Sequence, residues 1–168
     1  MSSDSGEERA EEGNGEKRMS LDTALSTLLE ETRILLPGTQ TLFGFQLIVG
    51  FNQAFRDHLT PNERDLHLVA TILTLVAVAL FMTPAALRRQ VERETVSRRF
   101  LHLASRLLSI GTVPLALAIC MEAYLVAQVI TQNTGASTAV AVFAVLVFGS
   151  LWYILPRIYR NDQPEPAS

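Results

Sequence analysis

The chain has 168 residues, 48% of them apolar and 18% charged, with a mean hydropathy of +0.23. A soluble domain usually carries about a quarter charged residues; here the charge is gathered at the two ends and in two connections, with long uncharged stretches between. The net charge of −3 comes mainly from the first 31 residues, no basic face for nucleic acid stands out, and one cysteine, Cys120, excludes an intrachain disulfide.

Residues 1–19 are acidic, contain Gly and Ser, and carry almost no large apolar side chains. They predict a disordered tail, since too little surface can be buried to offset chain entropy, and they lack the basic start and apolar run of a signal peptide. From Ser20 the pattern turns helical: Leu21, Leu25, Leu28, Leu29, Thr32 and Leu36 share a face, with Asp22, Glu30, Glu31 and Arg33 elsewhere. Pro37-Gly38 is expected to end or kink this segment. Residues 20–37 therefore predict a short amphipathic helix lying in the membrane interface; packing on a soluble partner is the other use of such a face.

The membrane domain is predicted over residues 38–160, with spans at about 39–55, 66–84, 107–131 and 138–156 and a disordered tail at 161–168. A 19-residue helix covers about 28 Å, close to the hydrocarbon thickness of a bilayer. The third stretch, about 37 Å at the same rise, must tilt or bend, and Pro114 offers a place to do so. The expected fold is all-α, a four-transmembrane-helix bundle with helical inner connection Ala85–Ser105, in which Arg88–Glu92 and Glu94–Arg98 are spaced for i,i+4 ion pairs. Lys17, Arg18, Arg33, Arg88, Arg89, Arg93, Arg98, Arg99, Arg106, Arg157 and Arg160 fall on one side, and only Arg56 and Arg64 on the other. Positive charge marks the cytoplasmic side, so both termini are predicted inside, with Trp152, Tyr153 and Tyr159 at the inner headgroups. Arg88, Arg89, Arg93, Arg98 and Arg99 are candidates for contact with anionic lipid headgroups, or serve only to set topology.

Glu122 is the sharpest single signal. It lies in LALAICMEAYLVAQV with no basic residue within seven positions, and a carboxylate inside a span costs roughly 2.5–3.5 kcal/mol on insertion scales. It must stay protonated, reach the interface, or face partners within the bundle. Its functional use is proton or cation exchange; its structural use is a hydrogen bond between helices. Thr39, Gln46 and Gln53, seven residues apart, share a face of the first span, and both spans run outward, which puts Glu122 between Gln46 and Gln53 in depth. The two glutamines are candidate lining residues, or bundle glue. Ala116, Cys120, Ala123 and Ala127 follow i, i+4, i+7, i+11, a spacing that lets a neighbouring helix approach closely.

The outer connection from Arg56-Asp57-His58 to His67 gathers histidines and carboxylates but matches no zinc or calcium spacing. A capped hairpin explains it better: Thr60 as N-cap, Pro61 in the first turn and Glu63 as an early acid. No nucleophile set, phosphate loop or metal motif appears, so neither an enzyme nor a cofactor is expected.

The run from Glu31 to Gln40 (ETRILLPGTQ), with Phe43 and Phe45 downstream, Phe55-Arg56, and Pro84-Ala85-Ala86 before Arg88-Arg89, resembles a bacterial family of small four-span membrane proteins of unknown function. Some of its members carry the label sodium:proton antiporter. The resemblance covers roughly residues 20–155, departs at Leu87 where related chains often have histidine, and implies a four-span fold in a bacterial inner membrane without established catalytic residues. Antiporters of known architecture are much larger, with inverted repeats around midplane acids. The expected function is an accessory, assembly or regulatory membrane component, with the lipid bilayer and either a second copy or another membrane protein as partners. The alternative is an oligomeric proton- or cation-coupled transporter using Glu122; an enzyme acting on lipid ranks last.

Overall fold

The computed structural model describes residues 4–91, 98–154 and 157, all but a few of them helical. In chain order the helices are α1 (Asp4–Phe51), α2 (Gln53–Asp57), α3 (Pro61–Val91), α4 (Arg98–Thr131) and α5 (Thr134–Gly149), the last passing into a wider π turn at Ser150–Ile154. The segments Ser26–Phe51, Pro61–Arg89, Arg98–Thr131 and Thr134–Trp152 are each long and apolar enough to cross a bilayer. The fold is the expected all-α four-helix bundle.

Its boundaries differ from expectation at the N-terminus. Helix α1 starts at Asp4, where a disordered tail is expected to residue 19, and runs through Pro37 without a break between an interfacial helix and the first span. Glutamate is the commonest residue of the first stretch and, with Arg9, Ala10, Lys17 and Arg18, a good helix former that outweighs the three glycines. Acids are also favoured at a helix start by its dipole. Proline removes one hydrogen bond at Pro37, but where water is scarce a continuous helix satisfies every other backbone group. Pro84 and Pro114 sit inside α3 and α4 in the same way. The helix pauses instead at Asn52, whose side-chain oxygen accepts from Phe55 N at 3.4 Å and starts α2. The expected pairs with Glu92 and Glu94, along with Arg93, Tyr159 and the tail at 161–168, lie outside the described residues.

Helix α3 opens on a reciprocal cap. Glu63 Oε2 accepts from Thr60 N at 2.8 Å while Glu63 N donates to Thr60 Oγ1 at 3.4 Å, with Pro61 in the first turn where its missing N–H costs nothing. The α4–α5 connection is only Gln132 and Asn133. Gln132 takes φ 51°, and Asn133 Oδ1 caps α5 by accepting from Gly135 N and Ala136 N. Ser137 is fully buried there, its hydroxyl donating to Gln128 Oε1 at 2.8 Å.

Two compact units divide the described chain: Met1–Thr41 with Val76–Thr112, and Leu42–Leu75 with Val113–Ser168. In the first, Phe100 and Ala104 are buried against Leu28, Leu29, Leu87 and Leu101. Gly111 lets Phe81, itself fully buried, pack directly against the α4 backbone: a Cβ there would lie 2.6 Å from the ring. In the second, Ala70, Thr74, Ala118 and Leu125 are wholly buried. Thr74, like Thr39 and Thr71, donates its hydroxyl to the carbonyl four residues back, so each is satisfied by its own helix.

Between 6% and 22% of the most apolar stretch of each span is buried by protein. Phe45, Ile48, Phe51, Ile130, Phe143 and Leu146 are all more than 60% exposed. A water-soluble protein rarely exposes such a surface; hydrocarbon solvates it without penalty.

Candidate functional site

Three helices of the second unit bring polar groups together inside the spans. Gln46 on α1 is 3% exposed, and its Nε2 donates to Glu122 Oε1 on α4 at 3.1 Å. His67, six residues or about 9 Å into α3, places Nδ1 2.9 Å from the same carboxylate oxygen. The contact is at ion-pair distance, though its angle falls outside hydrogen-bond geometry. The other ring nitrogen, Nε2, meets the main-chain oxygen of Gln46 at 3.1 Å. The side chains of His67 and Glu122 are 12% and 13% exposed. They are nearly enclosed.

Local sequence explains why the ring fits. Gly50, one turn beyond Gln46, leaves room: a Cβ would stand 3.1 Å from His67 Nε2. Phe55 on α2 closes another side with an edge-to-face contact, centroids 5.6 Å apart. The interruption at Asn52 turns α2 so that Phe55 can reach. Gln46 Oε1 is buried and has no hydrogen-bond partner, which is costly away from water. On its remaining side Glu122 borders an open groove of about 490 Å³, otherwise lined by apolar residues such as Leu42, Ile119, Val126 and Ile130.

Of the two glutamines that the sequence places to either side of Glu122 in depth, Gln46 is the one that bonds the carboxylate. Gln53 is exposed and takes no part, because the helix pauses at Asn52 before the heptad face reaches it. Thr39 is buried but bonds its own helix. The sequence groups His67 with the outer connection; the cap at Thr60 starts α3 six residues before it and carries the ring inward. Arg88 and Arg89 are exposed at the end of α3, and Arg98 and Arg99 are exposed at the start of α4. Ala116, Cys120 and Ala127 of the small-residue stripe are buried, as close helix packing requires. Among the described residues no group of three or more His, Cys, Asp or Glu is placed to hold a metal.

Four apolar helices of membrane-crossing length define a multi-pass integral membrane protein. Residues 14–156 match the model of a family of unknown function, DUF6328, and the chain belongs to that family. No curated protein and no solved structure matches it.

Proposed function

We propose that the protein is an accessory, assembly or regulatory component of a bacterial inner membrane, with both termini cytoplasmic, and that Gln46, His67 and Glu122 form its working centre. The observation that carries the reading is the 2.9 Å contact between His67 and Glu122 within the spans. Ionisable groups are costly there and are retained where they have a task. Beyond this pair the uncharged middle stretches of the spans hold no Asp, Glu, Lys, Arg or His: none lies between Arg33 and Arg56, His67 and Arg88, Arg106 and Glu122, or Glu122 and Arg157. A charged relay to the far side is therefore missing from the chain, and the groove beside Glu122 is apolar. Both favour a component that changes state over one that conducts, and the absence of a nucleophile set argues against catalysis.

One observation supports the rival, an oligomeric proton- or cation-coupled transporter: the unpartnered Gln46 Oε1 beside the pair offers an additional ligand atom. Proteoliposomes with a pH-sensitive dye separate the two. The accessory reading expects proton and Na⁺ flux no greater than in empty liposomes, for wild type and Glu122→Gln alike. Flux in the wild type that disappears in Glu122→Gln would overturn it in favour of transport.

A further inference from the structure

The hydrogen-bond roles around His67 constrain where its protons are. Nε2 faces the main-chain oxygen of Gln46 at 3.1 Å, and a carbonyl oxygen only accepts, so Nε2 carries a hydrogen. In a neutral ring Nδ1 then presents a lone pair. That lone pair would stand 2.9 Å from Glu122 Oε1, and an ionised carboxylate offers only lone pairs as well. Two acceptors at that distance in a nearly enclosed site repel. One proton removes the conflict, as imidazolium beside carboxylate or as imidazole beside carboxylic acid. Gln46 Nε2 donates to the same Oε1 and helps hold whichever form carries the charge.

We propose that the gap between His67 Nδ1 and Glu122 Oε1 is a binding site for one exchangeable proton, whose loss separates the ring from the carboxylate. This rests on the reading of the centre as the working part of the protein, and names its ligand. The groups facing the pair are the amide and main-chain oxygen of Gln46 and the Gly50 backbone from α1, and the Phe55 ring from α2. None of these contacts comes from a charged side chain. With the proton the pair is neutral overall. Without it the pair carries one negative charge, toward which the Gln46 amide donates. The cost of that charge where water is scarce is what couples occupancy to packing of α3 against α4.

The test is nitrogen NMR of histidine-labelled full-length protein in lipid nanodiscs across a pH series, with His58→Gln and His102→Gln removing the other two rings, combined with infrared detection of the Glu122 carboxyl. The expected result is an Nε2–H form throughout, with one proton leaving the pair in a single step that both probes report at the same pH. In Glu122→Gln the new amide can itself donate to Nδ1, so the ring should be neutral over the range in which the wild-type pair still holds its proton. If Glu122→Gln does not fold, His67→Gln should move the carboxyl transition instead. A wild-type pair whose ring and carboxyl titrate in separate steps, a His67→Gln variant whose carboxyl transition stays unmoved, or a wild-type ring bearing its hydrogen only on Nδ1, would overturn the proposal. These spectra read proton occupancy whether or not liposomes show flux, so failure here is distinct from failure of the accessory reading.

Discussion

At the scale of the single residue, Glu122 is held by two partners from two different helices, and each partner has further uses for its polar atoms. Truncating Glu122 to Ala strands the His67 ring and the Gln46 amide, so a loss of about 1–3 kcal/mol is expected in equilibrium unfolding from mixed micelles. A double-mutant cycle of His67→Ala and Glu122→Ala should show a coupling above the roughly 0.6 kcal/mol average for bonds between membrane helices. Additive losses would mean that the two side chains are neighbours without interaction. Glycine gives a second contrast. At Gly44 an added Cβ meets nothing within 4 Å, whereas at Gly50 it meets His67 Nε2 at 3.1 Å. Gly44→Ala should therefore gain up to about 1 kcal/mol from helix propensity. Gly50→Ala should lose that gain and shift the His67 resonances. Equal effects at both positions would contradict the placement of the ring.

At the scale of the element, close approach and capping set what the helices tolerate. Gly111→Ala would put a Cβ 2.6 Å from the Phe81 ring and 3.3 Å from Leu80 Cβ. Overpacking of this kind costs about 1–3 kcal/mol, and the shorter side chain of Phe81→Leu in the same molecule should recover part of it. Thermal denaturation in one detergent checks both; a Gly111→Ala variant as stable as wild type would contradict the α3–α4 packing. Much of this element scale was legible beforehand. Heptad spacing and the shared direction of two spans were enough to set Glu122 between Gln46 and Gln53 in depth, because a straight helix preserves depth and face together, but not to choose between them. The same reasoning failed for Gln53, since Asn52 ends the helix by capping the next one and the face is lost. His67 was missed for a related reason: hydropathy starts the second span at Leu66, whereas Thr60, Pro61 and Glu63 start the helix itself. That cap is legible in the sequence, and counting six residues from Pro61 places His67 within the helix rather than in the connection.

At the scale of the whole molecule, the physical statement is that four helices face hydrocarbon over most of their surface. Apolar runs of sufficient length made this legible from the start, while the continuity of α1 through Pro37 was not, because proline breaks helices far more readily in water than where backbone groups have no alternative partner. The most direct measurement is labelling of single cysteines with a membrane-impermeant maleimide in sealed, oriented vesicles, on a Cys120→Ala background. Asn62→Cys and Thr134→Cys, at the two turns bounded by α3 and α5, should react from the same side, and Arg99→Cys only after the vesicles are opened. Asn62→Cys and Thr134→Cys reacting from opposite sides, or all three reacting before the membrane is breached, would contradict four crossings.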